Sequence, residues 1–405
     1  MNRRERVIKN LNFEKSSAID LGGMASTGIS CFAYPRLVES LGLPPRLPRV
    51  YDTGQMLALP DIDVLDALNC DVVTVCSDSY TNAFVEPERW FPYDFNGRLP
   101  ALVQKPEIFS TEPDGSIIQS DSPDVLKMVS SSYVFDSPHG GQPLDIMSLD
   151  PPKEDLKKLE EELIESLFTE EKIRSISDYC KKVRKSTDRA VLFNGLQMPL
   201  QFRGGMASWS MFCLTDPEYV KSVHELITRY SIENINRLLP EIAPYIDINM
   251  SNADDQGTQN APILPPRVYR ELYVPYYKRM NDALHTHGPE LKSFLHSCGA
   301  IYDLIDDVID GGFDILNPVQ WSAGGHSYRE WKDKSRNRIA LWGGGVNSQA
   351  TLPLGTVDDV YYEAREVSSY LSEDGGFVFN SIHNILAEIP PEKIIAMYKS
   401  AEEHI

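Results

Sequence analysis

The chain has no apolar run of the length needed to cross a bilayer, ~20 residues, so no membrane span is expected in it. Its opening, MNRRERVIKNLNFEKSS, is charged and lacks an apolar core, so a secretory signal is not expected either. The six cysteines (Cys31, Cys70, Cys76, Cys180, Cys213 and Cys298) fall without paired spacing and suggest no disulfide framework. A cytoplasmic location is therefore the default. Basic residues are scarce: 39 Lys and Arg stand against 59 Asp and Glu, a net charge of −20. A nucleic-acid partner would need a basic face, and anionic membrane surfaces would be repelled, so neither is expected. No GxGxxG follows the early strand, which weakens a dinucleotide-binding reading. The triple glycine at 343–345 has no following Lys-Ser/Thr and is no P-loop. It suits a close backbone approach to a ligand instead.

What is present is a regular rhythm. The 405 residues, 42% of them hydrophobic, suffice for one large barrel or two smaller domains. Even the most charged stretch, KEDLKKLEEELIE, carries leucines at helical spacing. DIDVLDALNCDVVTV reads as a helix feeding a buried strand at 71–75. Beyond residue 151 a long polar helical stretch covers 152–185. Strands AVLFNG, IDINMS, LKSFLHS, DILNPV, IALWGG and GFVFNS then alternate with amphipathic helices. Strands alternating with helices predict a parallel sheet. About eight strands can be counted, one of them near the N-terminus and poorly placed. The expected fold is α/β, a single (β/α)8 TIM barrel over 1–405. An N-terminal helical segment is expected at 1–50. An antiparallel β-hairpin insertion is expected at 98–138, where EIFSTEPDGSIIQSD sets Pro-Asp-Gly between two extended runs.

Barrel chemistry sits at the C-terminal ends of the strands. Those ends read FNG (Asn194), NADDQGTQ (Asp254, Asp255, Gln256, Gln259) and HSCG (His296, Cys298). The next are NPVQ (Asn317, Gln320), GGGVNS (Asn347) and NSIHN (Asn380, His383). His-x-Cys alone is a weak signal, since a buried thiol beside a turn imidazole explains it equally well. His383 and the Asp254–Asp255 pair strengthen it, because barrel strand ends face a common centre. Zinc takes about four N, S or O ligands and, when catalytic, keeps a position open. His296, Cys298, His383 and one of the two aspartates would suffice, with Asp255 preferred to Asp254. The aspartates could instead cap a loop through backbone N–H groups, and Asn347 and Asn380 could be turn residues. His285 and His287 end a helix before Gly288 and suit its dipole. His139, in SPHGG, is ambiguous. Trp209, Phe212 and Met198 could wall a substrate site or simply pack the core.

HSCGAIYDLIDDVIDGGFDILNPVQ, LWGGGVNSQATLPLGT and GGFVFNSIHNILAEIPPEKIIAMY resemble the uroporphyrinogen decarboxylase superfamily, closest to its corrinoid-linked methyltransferase branch. The resemblance covers residue 152 to the C-terminus well and the N-terminal third loosely. It implies a (β/α)8 barrel. True decarboxylases of the family carry an arginine-rich N-terminal motif that grips substrate carboxylates. The N-terminal third here, LGGMASTGISCFAYPRLVESLG, lacks it.

The thiol-methylating zinc enzymes of the branch use His-x-Cys and a second Cys past the last strand. Here His383 stands at that place. An imidazole there leaves the metal a stronger Lewis acid, suited to polarising an ether oxygen. DDQGTQ and the RVYD-GQ-LA pattern at 49–58 resemble members that demethylate methoxylated aromatics.

The resemblance thus implies methyl transfer from an aryl methyl ether to the Co(I) corrinoid of a partner corrinoid protein. Zinc would be held by His296, Cys298, His383 and Asp255, with Asp254 and His296 in catalytic roles. Asn194, Trp209, Gln256, Asn317, Gln320, Asn347 and Asn380 would contact substrate or corrinoid. The alternatives are methyl transfer from methyl-corrinoid to a thiol such as coenzyme M, and a non-catalytic corrinoid- or tetrapyrrole-binding protein. A homodimer stays open, as does the role of the insertion.

Overall fold

The computed structural model describes residues 1–22, 27–76, 87–120, 125–136, 153–198, 200, 203 and 205–404. Seven strands form one sheet: β1 (Val72–Cys76), β2 (Ala190–Asn194), β3 (Ile248–Ala253), β4 (Lys292–His296), β5 (Ile315–Asn317), β6 (Ala340–Trp342) and β7 (Phe377–Val378). They lie side by side in chain order, and every pairing is parallel. Helices such as Glu170–Ser186, Pro217–Ile242, Val274–His287 and Val357–Leu371 return the chain between them. This is the (β/α)8-type barrel that the alternation predicts. Among the described residues no helix is long and apolar enough to cross a membrane.

The eighth position is held by residues 18–20. The Asp20 N–H donates to Phe379 O at 2.9 Å and the Phe379 N–H to Ala18 O at 2.8 Å. On the other side the Asp71 N–H donates to Ile19 O at 2.7 Å. The segment thus bridges the end of β7 to the start of β1. It is too short to show a period-two pattern, which is why its place is not legible in sequence.

Strand alternation divides the core. Ala190, Leu192, Ile248, Met250, Phe294, Ile315, Ala340, Trp342 and Val378 point inward as one cluster. Val191, Phe193, Leu295, Leu316, Leu341 and Phe377 face the helices. Phe294 meets Trp342 edge-to-face at 5.3 Å across the interior, a favoured aromatic geometry. The N-terminal helix Arg3–Leu11, opened by an Asn2/Glu5 capping box, closes the bottom. Its Val7 and Leu11 join the inward cluster, and Arg4 pairs with Asp247, just ahead of β3, at 2.6 Å. With the bottom packed, only the C-terminal rim can open to a ligand.

The stretch expected as one polar helix over 152–185 divides into Leu156–Glu165 and Glu170–Ser186. Thr169 caps the second, its hydroxyl accepting the Lys172 N–H. Within the described part of the expected insertion, Phe109–Thr111, Ile117–Gln119 and Leu126–Met128 form an antiparallel sheet. The Pro-Asp-Gly turn joins its first two strands, with Gly115 at φ +82° and the Glu112 N–H donating to Ser116 O at 2.8 Å. A separate hairpin, Phe91–Asp94 with Pro100–Val103, begins ahead of residue 98. Residues 121–124, 137 and 138 of that range, and His139, lie outside the described residues.

Candidate metal centre

The loops after β3 and β4 build the site together. β3 carries a bulge: Met250 pairs with Phe294 and Asn252 with Leu295, leaving Ser251 over. One extra residue reverses which side chains face inward beyond it. Past the bulge the two aspartates part. Asp254 turns into the protein and is 2% exposed. Asp255 stays exposed and reaches the β4 loop, where its Oδ1 accepts the Cys298 N–H at 2.7 Å.

Two glycines permit this approach. Gly299 sits at φ +92°, and a Cβ there would lie 2.3 Å from the Gly257 carbonyl carbon and oxygen. A Cβ on Gly257 would lie 2.5 Å from the Ala300 nitrogen. No other residue type fits at either place without parting the loops.

His296 ends β4 with its ring orientation fixed. Asn317 Nδ2 donates to Trp342 O at 3.0 Å, which leaves Asn317 Oδ1 as an acceptor. His296 Nδ1 lies 2.6 Å from that oxygen and donates to it. The proton is therefore on Nδ1, and Nε2 presents its lone pair to the cleft, the arrangement a metal-ligating histidine needs. Cys298 Sγ is 3.4 Å from His296 Nε2, and Asp255 Oδ1 is 3.9 Å from it. All three donor atoms lie within 4.8 Å of one another. Tetrahedral zinc with bonds of ~2.0–2.3 Å holds its donors ~3.3–3.8 Å apart, so this N/S/O set suits the ion in chemistry, with the His296–Cys298 pair at that spacing and Asp255 slightly beyond it. His383 lies outside that cluster but lines both lobes of the same cleft with Cys298. Its backbone N–H donates to Ser348 Oγ at 2.8 Å.

Burial pushes the Cys298 thiol up; His383 pulls it down and Asp255 pushes it up further. The thiol is thus protonated in the metal-free protein, and a metal would displace that proton. Asp254 is pushed up to about 7, chiefly by burial. Bonds to its Oδ2 from Tyr277 Oη and Gln256 Nε2, each 2.7 Å, oppose the rise. Its Oδ1 has no hydrogen-bond partner among the described residues. A carboxyl half-protonated near neutrality is suited to general acid work.

A two-lobed cleft opens over these groups. The larger lobe, about 520 Å³, is lined by Gln55, Gln197, Met206, Met250 and Ala253 beside the aspartates, His296, Cys298 and His383. The smaller, about 360 Å³, includes Gln259, Gln320, Gln349 and Leu386 and shares Cys298 and His383 with it. These volumes suit small-molecule sites.

Not every expected contact residue lies here. Trp209 is 1% exposed, packs against His224 and Tyr219 and donates to Tyr273 Oη at 3.0 Å. It packs helices together and does not line the cleft, and Met198 and Phe212 are likewise buried. Asn317 and Asn380 are fully buried: Asn317 stands behind His296, and Asn380 Nδ2 donates to Thr27 O at 2.8 Å. Asn347 Oδ1 accepts the Gln349 and Ala350 N–H groups, a turn role. Asn194 lies behind Gln197, its Oδ1 accepting Gln197 Nε2 at 2.6 Å, and Gln256 is a partner of Asp254. Gln320 does line the smaller lobe, where its Oε1 accepts the Gly299 N–H at 2.7 Å. His285 and His287 pair with Asp314 and Asn236 at the helix end, away from the cleft.

Gln55, Gln197, Met206 and Met250 escape a reading of strand ends, because loops and the strand interior supply them. The RVYD-GQ-LA pattern contained Gln55 as the one available signal.

The sequence profile of the uroporphyrinogen decarboxylase (URO-D) family matches residues 88–404. Over 130 residues the chain is 31% identical to the uroporphyrinogen decarboxylase of Syntrophotalea carbinolica. That match covers 32% of this chain and 35% of the relative, about a third of each. Among solved structures, a methyltransferase from Methanosarcina mazei aligns over 100% of this chain and 99% of its own, with a TM-score of 0.55 and 14% identity. At that identity the likeness is one of fold.

Proposed function

The chain belongs to the uroporphyrinogen decarboxylase family, and on that footing we propose that it is a methyltransferase. It takes a methyl group from an aryl methyl ether and passes it to the Co(I) corrinoid of a partner protein. The observation that carries this reading is the Asp255–His296–Cys298 donor cluster opening on a cleft. His296, Cys298, Asp255 and His383, the exposed imidazole beside the thiol, would hold zinc. Bound there, zinc would supply Lewis acidity toward the ether oxygen, and the corrinoid would supply the attacking electron pair.

The chain's own residues do the rest. Asn317 holds His296 in the tautomer that offers Nε2. Asp254 keeps a proton beside the cleft, fixed by Tyr277 and Gln256. As the carbon–oxygen bond breaks, its electron pair stays on oxygen and the phenolate takes that proton. Met206 and Met250 keep water from the ring face of the donor.

The named relative raises a second reading, decarboxylation of a polycarboxylated porphyrinogen. Among the described residues, neither lobe is lined by a Lys or Arg that could hold several carboxylates. The lack of such a cation favours methyl transfer.

The deciding experiment measures metal content of the purified protein together with methyl transfer from methoxyphenols to Co(I) corrinoid. Stoichiometric zinc and transfer abolished by Cys298→Ser are expected. Transfer that survives complete zinc removal would overturn the mechanism, and decarboxylation of uroporphyrinogen without transfer would establish the second reading.

A further inference from the structure

The smaller lobe is rich in carboxamides. Gln259, Gln320, Gln349 and Asn384 line it with the hydroxyls of Thr258 and Ser348, and among the described residues no Asp, Glu, Lys or Arg does. Backbone groups fix which way these amides face. Gln320 Oε1 accepts the Gly299 N–H at 2.7 Å, so the other branch of that fork is Nε2. Gln320 is only 8% exposed, and its Nε2 has no hydrogen-bond partner among the described residues. Asn384 is fully engaged, its Oδ1 accepting the Gly28 N–H at 2.8 Å and its Nδ2 donating to Gln55 Oε1 at 2.8 Å. At the rim, Gln259 Nε2 donates to Ser322 O at 3.0 Å, which leaves Gln259 Oε1 as the acceptor of Gln349 Nε2 at 3.1 Å. That oxygen is exposed at the lobe's mouth and can accept a second bond. The lobe thus offers a buried N–H donor beside Cys298 and an acceptor further out.

We propose that the smaller lobe receives an amide side arm of the corrinoid when the partner presents its cobalt to the donor's methyl group. This rests on the demethylation reading above. The two lobes share only Cys298 and His383, so they meet at the metal position. With the donor ring in the larger lobe, the smaller one flanks the point of attack. At about 360 Å³ it is too small for the macrocycle, but it can take a short arm from its edge. Corrin rims carry acetamide and propionamide arms, which both donate and accept. The arm's carbonyl oxygen accepts from Gln320 Nε2, its N–H donates to Gln259 Oε1, and its methylenes pack on Ile382 and Leu386. The arm is neutral, and ionised Asp255 and Cys298 would balance a zinc dication, so docking desolvates no net charge. Once the lobe is closed off from water, the Gln320 donor is left unpaired unless an acceptor meets it, which selects for the amide.

The test titrates the purified full-length protein calorimetrically with cyanocobalamin, whose filled axial positions keep it from ligating the thiol or the imidazoles. Methyl transfer from methoxyphenols to free cob(I)alamin is followed alongside. Gln320→Glu keeps the acceptor for the Gly299 N–H and removes the donor. It is expected to weaken cyanocobalamin binding at least ~fivefold and to raise the KM for cob(I)alamin to match, with the KM for the ether and the metal stoichiometry retained. The exposed substitution Gln259→Met is expected to weaken binding about threefold, and it decides the matter if the first variant does not fold. A wild type that does not bind cyanocobalamin, or an affinity unchanged by both substitutions, overturns the inference; transfer in the same protein leaves the demethylation reading standing. A KM that rises for the ether and not for cob(I)alamin gives the lobe to the donor and overturns the inference as well. Transfer from no aryl methyl ether overturns that reading and this inference together.

Discussion

A single side-chain amide decides which nitrogen of His296 can hold a metal. Asn317 is locked by the Trp342 carbonyl, so its oxygen faces the imidazole. Asn317→Leu keeps the volume and removes the acceptor. Metal affinity should then fall ~10–100-fold, read by competition with a chromophoric chelator, and an unchanged affinity would refute the lock. Asp254 gives a second prediction at this scale. Its folded pKa of about 7 lies above an unfolded value of about 4. Stability from the bound proton is full below the unfolded value and is lost as pH rises through about 7. The full loss is on the order of 4 kcal/mol. Asp254→Asn escapes it, so in metal-free protein the variant should gain in Tm over the wild type between mildly acidic and mildly alkaline pH. A difference in Tm that stays constant with pH would show that the carboxyl is not raised.

At the scale of elements, the site depends on two loops in backbone contact at Gly257 and Gly299. Gly299→Ala places a Cβ against backbone that has no free rotation to yield, at a φ that L-residues disfavour. It should cost at least ~2 kcal/mol in urea unfolding and abolish metal binding, because Asp255 and Cys298 lose their register. Retained metal stoichiometry would show that the loops adapt. The β3 bulge acts at the same scale. It sets which aspartate turns inward, and no residue type in INMSNADD announces it. The sequence left the choice between Asp254 and Asp255 open for that reason.

For the whole molecule, the barrel is sealed at one end and open at the other. Leu11 is 4% exposed within the inward cluster. Leu11→Ala should cost ~2–4 kcal/mol in denaturant unfolding while metal affinity is retained, since the site lies at the opposite rim. Loss of both together would mean that the plug and the rim are coupled.

The sequence by itself determined the alternation of strand and helix. Periodicity is a local property, set by the two-residue repeat of a strand and the 3.6-residue turn of a helix. It also brought His296, Cys298 and the Asp254–Asp255 pair together as candidate donors, because in a parallel barrel the last residues of every strand share one rim. Only the tertiary structure decided the roles of the polar residues around them. Asn317, Asn380 and Trp209 carry the residue types of a binding site, yet burial makes them supports. Gln55, Gln197 and Met206 line the cleft from loops and from the start of a helix. A side chain's direction depends on bulges, backbone contacts and the partners that claim its polar atoms. Those are relations between residues far apart in the chain, and no local pattern encodes them.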